Sequence, residues 1–159
     1  MTRFALPKPL EELSETEWDG MLFRSSDSLA KMTGWLTYHT LRSKGSKAGY
    51  PDRTLVKDRI VFAELKRHKA KPTDLQVEWL DRLARAGGEV YLWRPTDLDE
   101  VTRIMGRRWR FVPFRPAEAS DFGSSVPYLV ATGEADFVPA SLWIPGLGRA
   151  DEAGLQSAA

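Results

Sequence analysis

The 159-residue sequence contains no cysteine, which excludes disulfides, zinc–thiolate sites and a thiol nucleophile. It also lacks an apolar run of the ~18 residues that a membrane-spanning helix needs. Its first residues, MTRFALPKPLEELSETE, lack the basic-then-apolar order of a signal peptide. The expected setting is therefore cytoplasmic, in a bacterium or a phage-infected host. Net charge is nearly absent, at +1, but this balance conceals an uneven distribution. Between Arg42 and Lys71 ten Lys or Arg stand against three acids, whereas one Arg stands against six acids from Pro116 to Ala159. A solvated face explains a basic run of this kind, and so does a polyanionic partner such as DNA. Hydrophobic residues at 42% and aromatics at 11% suffice for the core of one domain.

The periodicities predict an α/β domain with a small mixed sheet flanked by helices. Residues 1–13, with Pro7 and Pro9, read as a leader. A helix capped by Ser14 or Thr16 is expected to run to about Thr33, with Trp18, Leu22, Leu29 and Met32 at helical spacing and Gly34 as its stop. WLTYHT (35–40) reads as a strand, and LRSKGSKAG (41–49) as a flexible basic loop. Residues 53–57 and 60–66 read as strands joined by a tight turn at Asp58. A helix over 74–86 and a strand over EVYLW (89–93) follow, the simplest form of a parallel crossover. TDLDEVTRIM (96–105) reads as a short helix. The domain is expected to span 14–106. Residues 107–159 form an irregular C-terminal extension in which SVPYLVATG is the one strand-like stretch and the last dozen residues are frayed.

The charges on the second hairpin strand call for an explanation. With the turn centred on Asp58, Asp52 falls opposite Glu64 just as Lys57 falls opposite Arg59, with Cβ atoms roughly 4.5–5.5 Å apart. Lys66 shares the Glu64 face, because strand side chains alternate. Facing carboxylates repel, and one has its pKa raised unless a charge cancels theirs. Mg²⁺ does this with one or two carboxylates, waters and a substrate phosphate, beside which a lysine can steady developing negative charge. The bland alternative is a hairpin whose charged ends emerge into water. The VFAEL stretch, apolar on both faces, argues instead that Glu64 sits in or at the mouth of a cleft.

GWLTYHT, the Ser- and Lys-bearing loop, AGYPD, VFAELK and PTDLQVEWLDRLARAGGEVYLWRPTDLDE together resemble the VRR-NUC (virus-type replication-repair nuclease) family. This is a branch of the PD-(D/E)XK phosphodiesterases, and the similarity runs from about Glu17 to Glu100. The resemblance implies a restriction-endonuclease-like αβββαβ core and an endonuclease that hydrolyses DNA phosphodiesters with Mg²⁺ or Mn²⁺. Asp52, Glu64 and the Leu65 carbonyl would hold the metal, and Lys66 would be the catalytic lysine. Gln76 would line the site, and an acid of the first helix, Glu17 with Asp27 in competition, would complete it. The resemblance also implies branched or flapped DNA as substrate, Holliday-junction resolvase-like action in replication or repair, and a homodimer. Arg53 departs from the aliphatic residue that usually follows Pro-Asp, adding charge beside the metal.

Other residues carry two readings each. Gln76 also fits a capping box with Thr73. His39 is either a structural histidine or a phosphate contact. Arg42, Ser43, Lys44, Ser46, Lys47, Arg53 and Lys69 are the expected phosphate-backbone contacts. Trp109, Arg110 and Phe111 either stack on an unpaired base or pack the tail. The alternatives to the nuclease are a non-catalytic DNA-binding module of the same fold and a sequence-specific restriction-type endonuclease.

Overall fold

The computed structural model describes residues 6, 8–41, 46–106, 109–112, 128–131 and 138–154. The chain folds as mixed α/β. Ser14 opens the first helix, α1 (Glu15–Asp19), with a reciprocal cap: its hydroxyl accepts from Glu17 N, and its N–H donates to the Glu17 carboxylate. A π-helical turn over Gly20–Arg24 continues it and closes where Ser25 N and Oγ donate to the Gly20 carbonyl. The next helix, α2 (Leu29–Thr33), starts after Ser28 and ends at Gly34, whose φ of 80° suits glycine. The single helix expected to Thr33 is thus two. Ser25, Ser26, Asp27 and Ser28 compete for backbone hydrogen bonds and favour a turn over helix interior.

The four-stranded sheet has the order β1 (Leu36–His39), β2 (Arg53–Val56), β3 (Ile60–Leu65), β4 (Glu89–Trp93). The first two pairings are antiparallel and β3–β4 is parallel. Between β3 and β4 runs α3 (Asp74–Arg85), the crossover that a parallel pair requires. Alternation along the strands divides the interior in two. Leu55, Val61, Ala63, Tyr91 and Trp93 face α1 and α2 with Trp18, Leu22 and Trp35. Phe62, Val90 and Leu92 face α3 through Leu80 and Ala84. All five residues of β4 are buried, as expected of a strand covered on both faces.

After a 3-10 turn over Pro95–Asp97, α4 (Leu98–Gly106) completes the first core. The backbones of β5 (Trp109–Val112) and β6 (Tyr128–Ala131) pair antiparallel, and β6 falls within the SVPYLVATG stretch. The short hairpin β7 (Trp143–Ile144)–β8 (Gly148–Arg149) follows. Residues 138–154 pack onto the domain, so for them the appended extension expected from 107 and the fraying expected from 148 do not hold; residues 155–159 lie outside the described residues. Leu142 bridges to Tyr91 on the open side of β4, and Leu142, Ile144 and Ala150 enter the main core. Glu100 accepts from Ala140 N, Ser141 N and Ser141 Oγ. The Arg149 guanidinium bonds Asp97, Asp151 and the Leu92 carbonyl. The leader is likewise partly structured, with a 3-10 turn over Leu10–Glu12 and a buried Leu13. Among the described residues no helix is long and apolar enough to cross a membrane.

Candidate functional site

The β2–β3 register runs from Val56↔Ile60 to Arg53↔Ala63, so the next step along both strands brings Asp52 beside Glu64. Regular pairing ends there, and the side chain of Asp52 replaces it: Oδ2 accepts from Leu65 N at 2.9 Å. The Asp52 carbonyl accepts from Thr40 N at 3.0 Å, which ties the residue to the end of β1. A residue's N–H and C=O leave a strand on the same side, so the Leu65 carbonyl also faces β2 and Asp52.

Glu64 is 1% exposed. Its Oε1 accepts from Gln76 Nε2 at 2.5 Å and lies 3.1 Å from Lys66 Nζ. Its Oε2 is buried and unpartnered among the described residues. Burial first, then the Asp52 carboxylate, push the Glu64 pKa up to about 8 against the pull of Lys66. A buried carboxylate oxygen without a partner is costly unless the acid stays protonated or a cation reaches it.

Gln76 makes two contacts at once, one to the helix cap and one to Glu64. Its Oε1 accepts from Thr73 N at 2.8 Å while its amide nitrogen donates to Glu64. The two ends of a primary amide make this possible, one accepting and one donating.

Two cavities meet at Asp52. The smaller, about 230 Å³, lies on the α1 side, walled by Glu15, Asp19, Arg24, His39 and Leu65 as well as Asp52. The larger, about 480 Å³, lies toward α3, with Leu41, Lys47, Tyr50, Leu75 and Gln76 among its walls.

Glu17, the expected first-helix ligand, is not among the residues lining the smaller cavity. Its carboxylate caps α1 and pairs with Lys8 at 3.0 Å, and the Ser14 N–H and Lys8 hold its pKa well below the usual carboxylate range. Asp27 is exposed on the turn between α1 and α2. The acids facing Asp52 from the first helix are Glu15 and Asp19, one helical turn apart.

Arg53 is not a free phosphate contact. It is 4% exposed and grips Asp19 through Nε and Nη2, both at 2.8 Å, with its guanidinium 4.9 Å from the Phe23 ring centre. Arg24 Nε donates to the same carboxylate at 2.7 Å. The sequence signal for this pair was the unusual arginine itself, because a buried arginine demands a buried acid.

Of the expected phosphate contacts, Ser46 and Lys47 wall the larger cavity. Lys69 is exposed in the turn after β3. Arg42, Ser43, Lys44 and the side chains of 109–111 lie outside the described residues.

The donor set suits a hard cation. Among the described residues no three His, Asp or Glu side chains form a metal cluster. A cation here would depend on two carboxylates, one carbonyl and water, a set Mg²⁺ accepts. The orphaned Oε2 of Glu64 is the buried polar atom that a cation would satisfy, in place of the proton that the raised pKa otherwise keeps on the acid. No family model, curated protein or solved structure matches this chain.

Proposed function

We propose that this chain is a divalent-metal-dependent deoxyribonuclease of the VRR-NUC kind, on a restriction-endonuclease-like core. The observation that carries the reading is the buried Glu64, across the hairpin from Asp52, with Oε2 orphaned and Oε1 3.1 Å from Lys66. Mg²⁺ or Mn²⁺ held by Asp52, Glu64 and the Leu65 carbonyl would supply positive charge at the phosphoryl group and polarise water.

The chain's own residues do the rest. Leu65 N and Thr40 N fix Asp52 at the end of its strand. Gln76 orients Glu64 from the capped start of α3. Lys66, 9% exposed, steadies negative charge that develops on the phosphoryl oxygens, in a site too dry to screen it. Lys47 and the basic 42–47 segment hold phosphates of the strand. Leu36, Val56 and Ile60, in register across β1–β3 and all exposed, form the surface on which the expected homodimer would assemble. Branched or flapped DNA is the proposed substrate and the cytoplasm the proposed setting.

The test is cleavage of labelled linear, single-stranded, flap and four-way-junction DNA with Mg²⁺, Mn²⁺ or chelator. Cutting that needs metal and vanishes in Glu64→Ala, with DNA binding retained, supports the enzyme. Binding without cutting under every metal returns the chain to a binding module. Cutting at one sequence in linear duplex, indifferent to branches, makes it a restriction-type enzyme.

A further inference from the structure

We propose that the larger cavity beside Asp52 and Gln76 receives one unpaired nucleobase of the substrate strand. This deepens the nuclease reading and rests on it. The cavity's volume of about 480 Å³ lies in the range of small-ligand pockets. Its mouth carries Leu41 and Leu75, which are 68% and 52% exposed. Two leucines held in water beside a charged site are an apolar surface awaiting a flat apolar face. A base offers such a face, whatever its identity. Lys47 stands on the same wall, placed for the phosphate that accompanies the base.

The wall is built rather than loose. Gly49 has φ 98°, and a Cβ there would lie 2.6 Å from the Leu75 carbonyl carbon and oxygen. The loop thus packs backbone to backbone on the first turn of α3, an approach that only glycine permits. Trp79 Nε1 donates to the Ala48 carbonyl at 3.2 Å. The Tyr50 ring meets Trp79 edge-on at 5.1 Å and Phe62 at 6.4 Å.

Asp52 and Gln76 form part of this wall, so the base would sit next to the scissile phosphate. A paired base is held within the duplex stack and cannot enter. An unpaired one avoids the cost of unpairing and unstacking. The cavity therefore selects DNA with an unpaired nucleotide at the cut.

The test uses the full chain in chelator and strands carrying 2-aminopurine, dim when stacked and bright when unstacked, at one position at a time. Each strand is tried alone and in full duplex, and parallel digests with Mg²⁺ locate the cut. Emission should rise at the position adjoining the cut in the unpaired strand and not in the duplex. Leu75→Glu and Leu41→Glu should abolish that rise and weaken single-strand binding by about tenfold. Leu75→Glu puts an acid in the first turn of α3, which the helix dipole favours, so circular dichroism should be unchanged. Cutting without a rise at any position, or with an equal rise in both variants, overturns the base pocket and leaves the nuclease standing. A rise that both variants lose, without cutting under any metal, keeps the pocket and removes the nuclease. Neither rise nor cutting overturns both.

Discussion

Gln76 holds Glu64 with one end of its amide while the other end closes the cap of α3 on Thr73. The start of a helix thereby sets the orientation of a carboxylate on a neighbouring strand. The two roles separate by mutation. Thr73→Ala loses the cap hydroxyl alone, for about 1 kcal/mol. Gln76→Ala also strips a buried donor from Glu64, for about 2–3 kcal/mol in all. Urea unfolding should rank them in that order, and Mg²⁺ affinity should fall in Gln76→Ala while staying near wild type in Thr73→Ala.

Stability of the metal-free protein should depend on pH through Glu64. Its folded pKa of about 8 lies above the ordinary 4.5, so the folded state holds the proton more tightly than the unfolded chain. The stabilising contribution is complete below about pH 4.5 and lost as pH rises through about 8. Urea midpoints in chelator should fall across that window in wild type, and the fall should be smaller in Glu64→Gln, the remainder coming from Glu89 and Glu100, whose carboxyl pKa values burial also raises. Mg²⁺ should stabilise wild type more above the window than below it, because it binds the ionised carboxylate.

The Asp19–Arg53 pair joins α1 to the residue that follows Asp52. Asp19→Leu leaves the buried Arg53 unpaired and should cost about 3–5 kcal/mol, whereas Arg53→Met should cost less, because Arg24 still pairs with Asp19. The double variant should recover most of that loss, since an apolar pair of similar volume fills the gap. Additive losses in the double-mutant cycle would show that the two side chains act independently.

Residues 138–154 should prove indispensable. Truncation after 137 exposes the core around Leu142, Ile144 and Ala150 and should abolish cooperative unfolding. Arg149→Ala strands Asp97, which is 9% exposed, at about 3–5 kcal/mol. Cooperative melting of the truncated chain would contradict this.

The candidate site was legible where its geometry is local. Hairpin register follows by counting from a turn, so Asp52 opposite Glu64 could be read from the position of Asp58. The α3 cap could be read from Thr73 and Gln76. What escaped depends on partners distant in the chain. Glu17 is the exception, since Ser14-x-x-Glu17 has the same capping-box spacing as Thr73-x-x-Gln76 and marks its carboxylate as spent on the cap, while Asp19, a turn beyond Glu15, faces the site. Arg149 looked like an isolated charge in an acidic tail because Asp97 lies some fifty residues earlier. The helix break at Ser25–Ser28 was visible as polar composition, but the apolar spacing of Trp18, Leu22 and Leu29 outweighed it.

The most direct test of the two-carboxylate site is Mn²⁺ binding followed by electron paramagnetic resonance on the full chain. Wild type should bind Mn²⁺ in competition with Mg²⁺. Asp52→Asn and Glu64→Gln should each weaken that binding by more than about tenfold, and Lys66→Met should retain it. Equal Mn²⁺ affinity in wild type and Asp52→Asn, or none in wild type, would contradict a cation site between Asp52 and Glu64.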